Sequence, residues 1–314
     1  MDRLRTLLHS QVSLLIVIAA TVAGIAVPSL AAPLEPLIPV FVAGLLFTAF
    51  YGFSVANLAV REVSTLVLVS IGCLYLLVPV ALSPIAMAVL SGELLVGTLI
   101  VLSAPLAAGS SIVWTRLSGG NAVLSTVIVL VSMVLAPVVM PSLVAQLAGS
   151  AVDVAAADLI VELAAIVAGA GVAAALVPNG RISDRDLDRF SLLTAGILIY
   201  VGVGGSSLAV DGVQLAAVAA LAVAALGLSA AIAYVLYVRG TRSDDCITVL
   251  FSSSMKNLSV SVMVGAVFGG GGIIASITVF HVVQQVVSSA LVHRLSATTE
   301  STSVDRIPAT QPGD

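Results

Sequence analysis

Long apolar blocks, each followed by a short break carrying Arg, Asp, Pro or Gly, divide the chain from one end to the other. The blocks reach the roughly 20 residues that a helix needs to cross the hydrocarbon layer of a bilayer. A membrane barrel would need polar and apolar residues in alternation. Runs such as Val123–Pro137 do not alternate. The pattern predicts an all-α membrane protein with ten transmembrane helices, at 11–28, 36–55, 63–83, 92–115, 121–148, 158–178, 189–209, 213–238, 245–268 and 272–294. Arg3 and Arg5 before the first block, and Ser29-Leu30-Ala31-Ala32 after it, give it the flanks of a secretory signal. Its apolar core is longer than a signal core, so it is read as a retained span.

Composition sharpens this picture. The chain is 60% hydrophobic and 9% charged, with a mean hydropathy of +1.20, whereas a soluble domain is about half apolar and a quarter charged. A globule of this size would have too little polar surface. Cys73 and Cys246 are isolated, with no second Cys or His at a metal-ligand spacing, so neither a disulfide framework, a metal site nor a cofactor is expected. The net charge of −4 lies in loops and tails and gives no sign of nucleic-acid binding. The expected partners are the lipid bilayer and a small solute, and the oligomeric state is left open.

The twelve basic residues are Lys256 and arginines at 3, 5, 61, 116, 181, 185, 189, 239, 242, 294 and 306. If the chain starts in the cytoplasm, every one of these arginines falls on the cytoplasmic side of the ten-span plan, as the positive-inside rule requires. One span more or fewer would scramble that order. The plan gives a cytoplasmic segment 1–10, a first repeat 11–148, an outside loop 149–157 around Asp153, a second repeat 158–295 and a disordered Ser/Thr-rich cytoplasmic tail 296–314. Five helices on each side of the loop is an odd number, so the second half enters from the opposite face. Inverted repeats of this kind are a common plan of secondary transporters.

Spans 4 and 9 hold matching polar interruptions. Span 4 carries Pro105, Gly109, Ser110 and Ser111 near its middle, and span 9 carries Ser252, Ser253, Ser254, Met255, Lys256 and Asn257 at the same depth. Pro and Gly free backbone groups, and Ser or Asn can satisfy them or bind an ion. Either interruption alone would read as small residues allowing close helix packing. Their correspondence in the two halves points instead to interruptions near Gly109 and Ser254 that cross at a midplane binding site. Lys256 is the one lysine in the chain. A charge there costs several kcal/mol unless it is paired or wet, so it marks either function or a lysine bonded to the carbonyls of a broken helix. A lysine that releases and regains its proton during a cycle would also carry protons.

Further polar residues lie in the spans. Glu162, one turn into span 6, reads first as a headgroup contact and second as a coupling residue. His281, Gln284 and Gln285 mark one side of span 10 as possible lining, and Glu93 opens span 4, where a carboxylate complements the helix dipole.

Gly120-Asn121, Leu124-Ser125, Val131-Ser132, Pro137 and Pro141 resemble the fifth helix of the bile acid:sodium symporter family. Met255 and Asn257 resemble that family's Met-Gln-Asn motif in helix 9, and Val279-Phe280 its helix 10. The resemblance extends over nearly the whole chain. It implies that spans 4 and 9 cross at unwound centres, that a core domain moves against a panel domain, and that organic anions are carried with sodium. The departures bear on the sodium. At the family's first sodium site Ser111 and Ser125 are retained, but an Asn is replaced by Ile112, a Thr by Val129 and the Glu shared with the second site by Ser252. At the second site a Gln becomes Lys256 and another becomes Leu74. Sodium is a hard cation that wants several oxygens, so the expectation is a carrier of a small organic anion, proton-coupled or uncoupled, with no bound metal.

The rivals differ in residues. A sodium/proton antiporter needs an Asp in mid-span, and an arsenite carrier a Cys in the span-4 crossing; this sequence has neither. An auxin-carrier-like anion exporter and a sodium symporter with a degenerate site share the plan. An enzyme is not expected, because His281 and scattered Ser residues make no hydrolase constellation. A membrane receptor or scaffold would bind a ligand without flux. The charge pattern generates one prediction: topology reporters fused at Ser10 and at Ser303 both report the cytoplasm, and an outside signal from either would overturn the ten-span plan.

Overall fold

The computed structural model describes residues 15–16, 19–51, 60–148, 156–204, 211–268 and 271–304. They form thirteen helices: α1 (19–26), α2 (Ile38–Phe50), α3 (Val60–Gly72), α4 (Val78–Val89), α5 (Gly92–Ser103), α6 (Ala108–Leu117), α7 (Ala122–Ala148), α8 (Ala156–Leu176), α9 (Asp184–Gly204), α10 (Gly212–Val238), α11 (Ser243–Ser254), α12 (Leu258–Phe268) and α13 (Gly271–Val304). Two short 3-10 turns, Pro28–Leu30 and Ala32–Leu37, lead into α2. Among the described residues six stretches are long and apolar enough to cross a membrane: Pro28–Thr48, Thr65–Val89, Ala122–Leu147, Arg185–Gly204, Gly212–Val238 and Gly271–Val292.

The differences from the predicted spans have local causes. Spans 4 and 9 are each two helices, because the backbone turns extended between α5 and α6 and again between α11 and α12. Span 3 runs from Val60 to Val89 as α3 and α4, joined by a π turn at Cys73–Leu77. There the Val78 N–H bonds Cys73 O, five residues back, and Pro79 has no N–H to give. Leu74 O is therefore left without a helical donor. The last helix continues to Val304, past the boundary drawn at 296 for a disordered tail. The segment 1–10 expected in the cytoplasm, most of the 149–157 loop and residues 305–314 lie outside the described residues.

The broken helices are held by their neighbours on all sides. α5 packs along α13 and against α4 and α7, while α11 packs on α10, α6 and α7. α2 packs on α8 and α9, and this group meets the rest through α7, α12 and α13. At Gly97 the approach of α5 to α13 is closest: a Cβ there would collide with Ser276 Oγ and the Ile273 backbone. Glu93, in the first turn of α5, does more than complement its own helix. Its Oε2 accepts the Gly272 N–H at 2.7 Å, so it also caps the start of α13. A matching tie joins α11 to the start of α7, where the Asn121 N–H donates to Thr248 Oγ1 at 2.8 Å and Asn121 Nδ2 to Asp245 Oδ1 at 3.0 Å. Just before this tie the exposed Arg242 guanidinium, hydrogen-bonded to Asp244, holds that carboxyl below its ordinary value.

Gly97→Ala tests the close approach. Overpacking at a tight contact costs about 1–3 kcal/mol, so the purified protein should melt at a lower temperature. An unchanged Tm would mean that α5 and α13 do not meet at Gly97.

Candidate functional site

The two extended breaks lie against each other and satisfy each other. The Ala107 N–H donates to Met255 O, and the Asn257 N–H to Pro105 O, both at 2.8 Å, so Leu106 and Lys256 form an antiparallel bridge. Each bond is the counterpart of the other across a local two-fold relation. The remaining backbone groups of the bridged pair take side chains as partners. The Leu106 N–H donates to Ser132 Oγ at 3.2 Å, and Leu106 O accepts Asn257 Nδ2 at 3.2 Å. The Lys256 N–H donates to Gln284 Oε1 at 2.9 Å, and Lys256 O accepts Gln284 Nε2 at 3.3 Å. Asn257 Oδ1 also accepts the Val260 N–H at 3.1 Å and so caps α12. In a hydrocarbon layer unpartnered groups of this kind would each cost several kcal/mol. Here none of the four is left bare.

The span-4 break falls at Ala104–Ala107, about one turn earlier than the Gly109 region where the sequence placed it. Gly109 is the second residue of α6 and meets nothing that a Cβ would touch, so neither the break nor a close approach depends on it. Pro105, which has no N–H, is what ends α5.

Lys256 is buried, with 1% of its surface exposed. Its Nζ donates to Leu102 O at 2.7 Å, Leu74 O at 2.8 Å and Ala104 O at 3.3 Å. Each of the first two acceptors has a reason to be free. Leu74 O is the carbonyl stranded by the π turn and Pro79. Leu102 O lies in the last turn of α5, and its usual donor, the Leu106 N–H, is taken by Ser132. The ammonium thus sits at the negative end of the α5 dipole with all three of its protons placed. The Tyr75 ring centroid lies 6.0 Å from Nζ. Among the described residues no carboxylate pairs with Lys256.

One turn away, Ser111, Ser125 and Ser252 come together from α6, α7 and α11. Their Oγ atoms are 3.2 Å (111 to 125), 3.1 Å (111 to 252) and 2.9 Å (252 to 125) apart, and all three side chains are buried. A closed ring of three hydroxyls lets each donate once and accept once. The buried Val129 and the partly buried Ile112 bring no oxygen to this cluster.

The other predicted residues divide. Ser253 Oγ bonds Val249 O of its own helix at 2.6 Å and does not join the polar site. Met255 Sδ accepts Ser288 Oγ at 3.3 Å from α13. Gln284 closes on the crossing, as described, while Gln285 bonds Ser110 Oγ and Trp114 Nε1, each at 2.7 Å, and His281 Nε2 at 3.2 Å. Asn257, Ser261, Phe280, His281 and Gln284 line a narrow cleft beside Lys256. Glu162 is on α8, and its side chain lies outside those described. Trp114 was not singled out in the sequence, Leu74 entered only as a lost side-chain ligand, and Ser132 only as part of the family-like stretch of span 5. For Leu74 the signal was Pro79, five residues on; for Trp114 it was that the chain has no other tryptophan.

Residues 53–173 match the family model described as Sodium Bile acid symporter family. A search of curated proteins found no match. The matched segment carries the π turn, the α5–α6 break, Ser111 and Ser125; Lys256 and Asn257 lie beyond it. With that match and its long apolar helices, the chain is a multi-pass membrane protein that is similar over residues 53–173 to the Sodium Bile acid symporter family.

Proposed function

We propose that this transporter carries a small organic anion by alternating access, and that the Lys256 ammonium takes the place of a sodium ion, so that transport is not sodium-coupled. The observation that carries the proposal is the cage of carbonyls at 2.7, 2.8 and 3.3 Å around a fully buried Nζ. Backbone carbonyls freed by broken helices are the ligands a hard cation would use. Here a tethered cation uses them. The hydroxyl ring of Ser111, Ser125 and Ser252 supports the same reading, since three neutral hydroxyls bonded to one another are a poor site for sodium.

Of proton-coupled and uncoupled transport, the geometry favours the uncoupled form with a fixed charge. A neutral amine has two protons for three acceptors, so deprotonation would strand a buried carbonyl. Ten spans in two inverted five-helix repeats remain our reading of the architecture. It is supported by the lengths of the broken halves, 12 and 10 residues in α5 and α6 against 12 and 11 in α11 and α12. The reciprocal bonds about Leu106 and Lys256 support it as well. In this reading α1, α2, α8 and α9 are the panel, the other helices are the core, and both termini are cytoplasmic. The first turns of α6 and α12 bring the positive ends of two helices to the crossing, where they favour an anion.

The test begins with a thermal-shift screen of organic anions on the purified protein, to find one that binds. Uptake of that anion into vesicles should be equal with sodium or choline outside and flat across pH. Strong sodium stimulation would refute the substitution, and binding without flux would favour a receptor. Lys256→Gln should not bring sodium activation back, because residue 252 still lacks a carboxylate; adding Ser252→Glu should begin to restore it. Stability gives a separate check. Lys256→Met strips the donor from the carbonyls, at about 1–3 kcal/mol for each one left bare, and should lower Tm far more than Ser252→Ala. Equal losses would mean that the carbonyls do not depend on the ammonium.

A further inference from the structure

Beside the crossing, one carboxamide joins two helices in a chain of hydrogen bonds whose directions can be worked out. Gln285, on α13, accepts the Trp114 Nε1–H from α6 on its Oε1 at 2.7 Å. An indole nitrogen can only donate, so the amide has one permitted orientation, with its oxygen toward Trp114. Its NH₂ group then faces Ser110 Oγ at 2.7 Å and, one turn back on α13, His281 Nε2 at 3.2 Å. Two N–H donors meet two atoms. His281 Nε2 must therefore accept, which in a neutral imidazole leaves the proton on Nδ1. Nδ1 is buried and has no partner among the described residues, while the histidine itself, 8% exposed, lines the cleft beside Lys256 and Asn257.

We infer that Gln285 is a positioning residue: held by Trp114, it fixes His281 as the Nδ1–H tautomer and leaves that N–H as a donor for an acceptor atom of the transported solute. The role in transport rests on the anion-carrier reading; the tautomer does not. A donor at this place selects for a solute oxygen and against a solute N–H. The other tautomer would reverse that preference.

The experiment is nitrogen NMR of the full-length protein, labelled with ¹⁵N-histidine and embedded in lipid. The chain has three histidines, and the His281 signals are identified by their disappearance in His281→Gln. In the unmodified protein His281 should show a protonated Nδ1 and a bare Nε2; a protonated Nε2 would overturn the inference. Gln285→Glu replaces the NH₂ donor by an oxygen, so Nε2 should gain a proton, whereas an unchanged His281 spectrum would overturn the inference. If that variant does not fold, Trp114→Phe removes the donor that orients the amide. His281 should then populate both tautomers, and retention of pure Nδ1–H would count against Gln285. The measurement needs no flux. A failed uptake assay with the expected tautomer would sink the transport reading alone, and a wrong tautomer in an active carrier would sink this inference alone.

Discussion

The mutual pairing of two helix breaks is the constraint on which the rest of this structure depends. In the hydrocarbon layer a helix can be interrupted only where something else takes up its freed backbone groups. Here the something else is a second interruption. The Ala107–Met255 and Asn257–Pro105 bonds use one donor and one acceptor from each break, which leaves the outward groups of Leu106 and Lys256 to Ser132, Asn257 and Gln284. Because these partners come from α7, α12 and α13, the crossing fixes the placement of those helices as well. The hydroxyl ring and the ammonium cage are then consequences of where the crossing holds α5, α6, α11 and α12.

Burying an ammonium is costly, and the cost decides what its surroundings must be. An uncompensated charge in a low-dielectric interior loses several kcal/mol of solvation, which a single hydrogen bond of about 1.5–3 kcal/mol does not offset. A set of three carbonyls does better, provided that they have no helical partners to lose. The π turn with Pro79 and the end of α5 at Pro105 supply carbonyls of that kind. The structural and the functional reading of Lys256 therefore converge. The lysine is tolerated because the broken backbone offers what a cation site offers.

Much of this was legible in the sequence, and the part that was not has a physical reason. Hydrophobic length revealed the long apolar helices, and the paired polar interruptions revealed the two breaks, because composition at a fixed depth survives in one dimension. The position of the span-4 break was misjudged by a turn, since Gly109 drew attention by type while Pro105 acts by the N–H it lacks. Ser111, Ser252 and Lys256 were picked from the polar interruptions and Ser125 through its family position, and they do meet in space or lie beside the meeting point. Ser253 was picked with them, but adjacent residues on a helix point about 100° apart, and its hydroxyl turns back on its own helix. Leu74 was counted only as a lost side-chain ligand. Its contribution is a backbone oxygen, which no side-chain pattern announces. Gln285 and Glu93 act on other helices, and a single sequence does not show which helix ends are neighbours.

Charge offers a further argument for reading the two substitutions at 252 and 256 together. By the family pattern that the sequence resembles, two sodium ions share one carboxylate on span 9, which leaves one net positive charge at the crossing when both sites are filled. Here the carboxylate position is Ser252 and a ligand position of the second site is Lys256. On the proposed reading, in which no sodium binds, the crossing again holds one net positive charge. An anion approaching the positive ends of α6 and α12 would thus meet the same sum in either case. Had Lys256 arisen with the carboxylate retained, the pair would sum to zero and that attraction would be lost. Had Ser252 arisen alone, the remaining ligands would have been too few to hold a cation. Either change alone disturbs the electrostatics of the site, whereas together they preserve it and, on the proposed reading, free it from a sodium gradient.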